Sequence, residues 1–263
     1  KKLLLTKNDS IADVYDQDVI SVSVDTSAEE VANIMNKYDL VALPVVDGIG
    51  RLKGRITIDD VVDIIREEAE RDYQMASGIS SDVEASDNVW QLLRARLPWL
   101  LIGLLGGVFG AKVIEMYEGQ LALYPEMAFF IPLIAAMGGN VGIQSSAIVV
   151  QALANDSMGI ESNLKKLLKE LGVALLNGLS LAAILLCYNL IDSDSMALTI
   201  TVSVALLVVI IFASVFGTFV PIGLNRFKID PALATGPFIT TVNDIMGLLL
   251  YFIIGHFFYT IFV

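Results

Sequence analysis

Four runs of more than 20 residues hold almost no charged side chain. They cover residues 127–155, 171–191, 195–225 and 231–263, and the last contains a single charge, Asp244. A helix of about 20 apolar residues spans the roughly 30 Å hydrocarbon core of a bilayer. The runs therefore predict membrane-spanning helices rather than a single soluble globule.

These runs and a fifth, weaker segment define an all-α membrane domain over residues 97–263 with five predicted spans. The first span is the weakest because Lys112 and Glu115 interrupt it near its end. The predicted spans are about 97–117, 127–154, 167–190, 197–224 and 232–262.

The charges concentrate before this domain. Residues 1–98 hold 19 of the 29 acids and 11 of the 17 bases, and the formal net charge of the chain is −12. An acidic excess argues against a nucleic-acid partner, because binding to phosphates relies on Lys and Arg. It suits a protein that gathers cations. The single cysteine, Cys187, excludes an intrachain disulfide.

Residues 1–72 are predicted to contain a small α/β module, with residues 73–96 as a connecting or interfacial helix. Within the connector, Trp90 to Arg96 fits either an interfacial helix or a plain linker. Apolar alternation, turn residues and first-turn acids predict a β-α-β-β-α order. The elements are strand 19–24, a helix from about 25 to 39, strand 40–46, strand 51–57 and a helix of about 59–71.

The sequences YDLVALPVVD (38–47) and GRITIDDVVDII (54–65), with Gly54, Thr57 and Asp60 in a G-x-x-T-x-x-D pattern, resemble a CBS module. Such modules normally pair, so a partner module is expected upstream or in another subunit. CBS modules often bind adenosine nucleotides. Thr57 and Asp60 are therefore candidate ligands of an ATP ribose.

Asp244 lies on a polar stripe of the last predicted span. Gly236, Thr240 and Asp244 are spaced four residues apart on one helix face, and Asp230-Pro231 opens the helix. A carboxylate in the membrane is costly and marks a functional site by default. The stripe predicts ion handling, and the alternative is a protonated carboxyl hydrogen-bonded within the bundle.

The second predicted span carries Gly138, Gly142 and Ser146 at intervals of four, a pattern that lets helix backbones approach closely. Asn140 and Gln144 present amides one turn apart. Alone, this face fits helix packing. Beside the stripe of the last span, it predicts a pore lining.

Three longer motifs resemble the MgtE family of magnesium channels: GGNVGIQSSA (138–147), LLKELGVALLNGL (167–179) and DPALATGPFITTVNDIMGLLLYF (230–252). A CBS module followed by five spans has the same order as that family. The resemblance implies a homodimer with a pore on its two-fold axis, not an enzyme. Asp244 of both subunits would face one Mg²⁺, and Asp230 would attract ions at the inner mouth. The implied pore lining is Gly138, Gly139, Asn140, Gln144, Gly236 and Thr240.

The same resemblance implies regulation by cytoplasmic Mg²⁺. The matching acids are Asp39, Asp60, Asp63, Glu68 and Asp72, whereas Arg71 replaces a familiar acid. The residues themselves offer a physical reason, because the acids crowded over 59–70 repel one another and a divalent cation would relieve that repulsion. An ordinary solvated acidic face is the alternative. The N-terminal helical domain and first CBS repeat of the family lie outside this sequence, so sensing is expected to be weakened.

The Lys and Arg residues predict a cytoplasmic N-terminus and an external C-terminus in a bacterial inner membrane. On a five-span path, Lys112 lies toward the external side. The other Lys and Arg residues near the ends of the spans all fall on the cytoplasmic side: Arg94, Arg96, Lys165, Lys166, Lys169, Arg226 and Lys228. Two rival functions stay open. One is a secondary transporter of divalent cations coupled to Na⁺ or H⁺, and the other is a membrane-anchored, nucleotide-sensing CBS protein.

Overall fold

A computed structural model describes residues 19–80, 82–154, 163–193, 195–234 and 236–262. The predicted start of the first module, residues 1–18, lies outside this described part. The chain divides into two compact units, residues 1–70 and 71–263. The predicted fold class is confirmed: within the described residues, a small three-stranded α/β region precedes a helical part with five helices long enough to span a membrane.

The first unit is a three-stranded sheet with helices, in the predicted β-α-β-β-α order. Strand β1 pairs parallel to β2, and β2 pairs antiparallel to β3. The elements are β1 Val22–Ser23, α1 Ala28–Lys37, β2 Ala42–Val46, β3 Leu52–Thr57 and α2 Ile58–Ala76, the last of which continues into the second unit.

Strand β1 is shorter than the predicted strand 19–24. Val22 and Ser23 pair with Val45 and Val46. The chain then turns, because the amide of Thr26 donates to the carbonyl of Ser23 at 3.1 Å. The core of this unit is apolar and small, formed by Val22, Val31, Ala32, Met35, Leu43 and Val61.

The second unit continues from the end of α2, and its described residues form five long helices and one short one. Two 3₁₀ turns, Pro125–Phe130 and Pro231–Ala234, precede α5 and α8 respectively. The helices are α3 Val89–Met116, α4 Glu118–Leu123, α5 Ile131–Ala154, α6 Asn163–Asp192, α7 Met196–Arg226 and α8 Pro237–Phe262.

Helix α3 begins earlier than the predicted first span. Asn88 and Gln91 form a capping box in which each side chain accepts from the other residue's backbone amide, at 3.0 and 3.2 Å. Trp90 to Arg96 therefore forms the first turns of α3, and the interfacial position of this segment stays a prediction.

Helix α7 is the centre of the membrane unit. It packs against α5, α6 and α8, and most of its length is buried, whereas α3 and α6 are mainly exposed. The exposed side chains of α3 are large and apolar, as a lipid-facing helix requires. They include Leu100, Leu101, Leu104, Leu105, Val108 and Phe109.

Candidate functional site

Asp244 lies where α8 crosses α5. The neighbour on α5 is Gly139: a Cβ added there would lie 3.3 Å from Oδ1 of Asp244 and 2.9 Å from Cγ2 of Thr240. The missing side chain at Gly139 thus allows the carboxylate-bearing face of α8 to approach the α5 backbone. Asp244 is half-buried and, within the described part of the chain, forms no hydrogen bond or ion pair.

Thr240 and Gly236 continue this face toward the start of α8. The Thr240 hydroxyl donates to the carbonyl of Gly236 at 2.8 Å, so it is already engaged within the helix. Gly236 has a φ of 63°, and a Cβ there would overlap the carbonyl oxygen of Ala76. Gly236 therefore shapes the entry of α8 through its backbone.

Beside Asp244, the helices α5, α7 and α8 pack closely against one another at glycine residues. A Cβ at Gly142 of α5 would overlap the amide of Asn243, and a Cβ at Gly217 of α7 would overlap the carbonyl oxygen of Gly142. Gly138 likewise faces Val209 and the carbonyl of Asn243. The predicted small-residue face of α5 is thus a packing face for both α7 and α8.

Asn243 is fully buried, and both polar atoms of its amide have no hydrogen-bond partner among the described residues. An unsatisfied buried amide is costly. Sequence periodicity alone does not identify Asn243, because its burial depends on how α5 and α7 cover it.

The two predicted pore amides occupy a different environment from Asn243. Asn140 and Gln144 of α5 are both exposed. In a membrane helix, an exposed amide requires a polar partner. This part of α5 is consequently a surface that a lipid tail would cover poorly.

Asp230 lies at the exposed turn before α8. Its Oδ1 accepts from the amide of Ala232 at 2.9 Å, so the carboxylate caps the 3₁₀ turn Pro231–Ala234. The second carboxylate oxygen of Asp230 takes no part in this hydrogen bond. Asp230 thus has a structural role, and its role at the inner mouth stays a prediction.

In the first unit, Thr57 and Asp60 bind each other. Oδ2 of Asp60 accepts from the Thr57 hydroxyl at 2.7 Å and from the Thr57 amide at 3.0 Å. These two hydrogen bonds hold the pKa of Asp60 below its ordinary value of 3.8, and the bond from the hydroxyl has the larger effect. The pair fixes the first turn of α2, a capping role that the G-x-x-T-x-x-D pattern alone did not reveal.

The other predicted sensing acids are dispersed. Asp39 is exposed with a φ of 56°, a left-handed conformation that ends α1 and that Asp tolerates. Asp63 and Glu68 are exposed on α2, and Asp72 is half-buried. Among the described residues of this one chain, no three Asp, Glu, His or Cys side chains converge to hold a metal.

One polar cluster escaped the sequence analysis. Glu170 of α6 accepts hydrogen bonds from Ser145 of α5 at 2.6 Å and from Ser214 of α7 at 2.7 Å. The signal available beforehand was an acid immediately before the charge-free run 171–191. Its partners are 25 and 44 residues away in sequence, so no local pattern predicts them.

Together, the five long apolar helices and the sheet module define a multi-pass membrane protein with a CBS domain. Residues 131–254 match the MgtE family, described as a divalent cation transporter, and residues 11–67 match the CBS domain. The chain therefore carries an MgtE domain and a CBS domain.

Three relatives carry the name magnesium transporter MgtE. Those of Bacillus subtilis and Thermus thermophilus are 32% and 35% identical over 93% and 92% of this chain, which cover 54% of each relative. That of Enterococcus faecalis is 33% identical over 100% of this chain and 58% of the relative. The chain thus spans a little over half the length of these relatives.

Proposed function

We propose that this protein transports Mg²⁺ across a membrane and that Asp244 is its ion site. The observation that carries the proposal is the half-buried Asp244 carboxylate at the α5–α8 crossing, which has no partner in the described part of the chain. The match to the MgtE family and the names of the relatives support Mg²⁺ as the ion. A transporter, rather than an enzyme, follows from the same relationship.

A single carboxylate is a weak Mg²⁺ site, which favours a homodimer. In a two-fold assembly the same residue of the second subunit lies opposite, and two carboxylates form an acidic ring. Mg²⁺ dehydrates reluctantly and binds through one or two carboxylates plus retained water. The exposed Asn140 and Gln144 amides support the proposal, because a second subunit would cover them better than lipid.

The position of Asp244 along α8 suits a pore site reached from the cytoplasm. It is seven residues beyond Pro237, or about 10 Å along the helix axis. In the proposed orientation the start of α8 is cytoplasmic, and Asp230 stands exposed before it. Asp230 would concentrate cations there, and Gly138, Gly139, Gly236 and Thr240 would shape the wall.

The test is Mg²⁺ uptake by cells lacking their own Mg²⁺ transporters. Asp244→Asn keeps the side-chain shape but removes the charge, so we expect uptake to fall by at least about tenfold. Glu118→Gln makes the same chemical change at an exposed residue of α4 and should transport normally. Equal uptake by Asp244→Asn and the unaltered protein, at equal membrane abundance, would place the ion path elsewhere.

We favour a channel over a coupled transporter because a site of carboxylate and retained water binds Mg²⁺ loosely enough to release it. Reversal potentials distinguish the two. A channel follows the Mg²⁺ gradient alone, whereas coupling to Na⁺ or H⁺ would shift the potential with those gradients.

For the CBS unit we propose regulation by Mg²⁺ through its acidic residues. Exposed Asp63 and Glu68 lie on a helix rich in acids, so a divalent cation bridging them to other carboxylates would relieve repulsion. Asp39, Asp60 and Asp72 are further candidates. ATP is a second candidate ligand near Thr57 and Asp60. It would have to compete with the hydrogen bonds between those two residues.

A further inference from the structure

Glu170 joins three membrane helices through one oxygen atom. Its Oε1 accepts from Ser145 of α5 at 2.6 Å and from Ser214 of α7 at 2.7 Å, and the two serine oxygens are 3.0 Å apart. Both serines are buried, with 4% and 1% of their surfaces exposed. The three oxygens form a compact triangle in the protein interior.

A cavity of about 380 Å³ lies against this triangle, between α5, α6 and α7. Its wall is largely aliphatic, with further polar side chains from Gln144, Asn177 and Thr218. Apolar cavities with a few convergent polar groups are the usual form of small-ligand sites.

The triangle of Glu170, Ser145 and Ser214 is separate from the Asp244 site, although Gln144, a predicted pore amide, also lines the cavity. On α5, Ser145 comes six residues after Gly139, which faces Asp244. Six residues of an α-helix turn the side chain by about 120° net and advance it by about 9 Å. The carboxylates of Asp244 and Glu170 thus lie against different faces of α5. Glu170 has no part in the proposed pore.

The oxygens available to bind a cation here belong to two neutral serine hydroxyls and one carboxylate. Each serine donates one proton and keeps lone pairs that can accept a cation. Within the described residues, the second oxygen of Glu170 has no hydrogen-bond partner. All-oxygen sites suit hard cations. A single carboxylate balances one positive charge, which favours a monovalent ion over Mg²⁺.

Lys169 is the other charged residue of the cavity wall. It is exposed and lies at the start of the apolar part of α6. Such a lysine can extend its ammonium group toward the lipid headgroups. Glu170, held inward by two serines, cannot leave in the same way.

We propose that Glu170, Ser145 and Ser214 bind a monovalent alkali cation of the Na⁺ class in this cavity. A carboxylate in a membrane helix is expensive to bury, and the bound ion neutralises it. Because its ligands come from α5, α6 and α7, the ion also links these three helices.

The test is equilibrium binding of radioactive ²²Na⁺ to the purified full chain in Mg²⁺-free detergent solution, with choline as the replacement cation. We expect saturable binding that Glu170→Gln weakens by at least about tenfold and Ser214→Ala weakens several-fold. Glu118→Gln, the same change at an exposed residue, should bind Na⁺ like the unaltered chain. Asp244→Asn should also retain binding, which separates this site from the proposed pore.

Several results would overturn the proposal. They are absence of saturable Na⁺ binding, displacement of Na⁺ by an equal concentration of Mg²⁺, and loss of binding in Asp244→Asn but not in Glu170→Gln. If Glu170→Gln does not fold, Ser214→Ala decides, and unchanged affinity in that variant counts against the site. Lys169→Gln should bind Na⁺ at least as tightly. Weaker Na⁺ binding by Lys169→Gln would count against the proposal and would instead indicate that Lys169 holds a lipid phosphate in the cavity.

Discussion

Gly139 and Asp244 face each other across the crossing of α5 and α8. A Cβ added at Gly139 would lie 3.3 Å from Oδ1 of Asp244, a separation tighter than ordinary van der Waals contact. The position of the carboxylate is therefore set by a residue without a side chain on the neighbouring helix.

Gly139→Ala should reduce Mg²⁺ uptake while the protein still reaches the membrane. The new methyl group meets both Thr240 and Asp244, so α8 must shift or the carboxylate must rotate. Overpacking of this kind costs about 1–3 kcal/mol. Gly107→Ala is the control, because a Cβ there meets nothing within 4 Å. If Mg²⁺ uptake is equal in the two variants, the Asp244 position does not govern transport.

Gly217→Ala should destabilise the membrane unit more than Gly178→Ala. At Gly217 the new methyl group overlaps the backbone carbonyl of Gly142, which no rotamer change can relieve. At Gly178 it meets the end of the flexible Leu207 side chain. Thermal unfolding in detergent measures the difference in the free energy of unfolding between the two variants, which we expect to be about 1–3 kcal/mol. Equal stabilities would show that α5 and α7 can separate freely at this point.

Thr57→Val should loosen the start of α2 in a pH-dependent way. The folded-state pKa of Asp60 is lowered, chiefly by the Thr57 hydroxyl. Its stabilising contribution is therefore present above the ordinary pKa of 3.8 and is lost as the pH falls through the lowered value. Hydrogen exchange of the Thr57 amide should be faster in Thr57→Val near neutral pH, and the two proteins should converge in acid. Asp59→Asn, a change at the exposed neighbouring acid, should exchange normally. An unaffected Thr57 amide in Thr57→Val would contradict the capping role.

Neutralising Asp63 and Glu68 together should leave transport high when internal Mg²⁺ is raised. Both residues are exposed on α2, and Asp60 is omitted because it caps the helix. Mg²⁺ currents at low and high internal Mg²⁺, recorded from a version carrying the upstream region of the relatives, measure this. Unchanged inhibition in Asp63→Asn/Glu68→Gln would remove these two acids from the sensor.

Cysteine labelling should reveal which ends of the helices face the cytoplasm. In a chain with Cys187→Ala, we expect a membrane-impermeant reagent to label Ser193→Cys from outside and Asn225→Cys only from inside. These residues lie at opposite ends of α7. The expectation rests on the cluster of Lys and Arg at one set of helix ends. The reverse pattern would invert the proposed orientation.

The sequence predicted what depends on local periodicity. Charge-free runs located the helices, and alternation located the sheet module. Capping and pairing set the ends: Asn88 and Gln91 begin α3 earlier than expected, and Ser23 ends β1 early. Tertiary contacts were beyond such patterns. The partners of Glu170 come from two other helices, and the burial of Asn243 depends on packing across Gly142.

The contact of Gly217 with Gly142, and of Gly142 with Asn243, has a mechanical consequence. Because backbone meets backbone or a fully buried amide, α5 cannot slide or rotate against α7 and α8 without steric overlap. In the proposed transporter, opening and closing would then carry these three helices as one body. Because Glu170 ties α6 to α5 and α7, any displacement between states falls to the mainly exposed α3, or to one such body moving against a second copy.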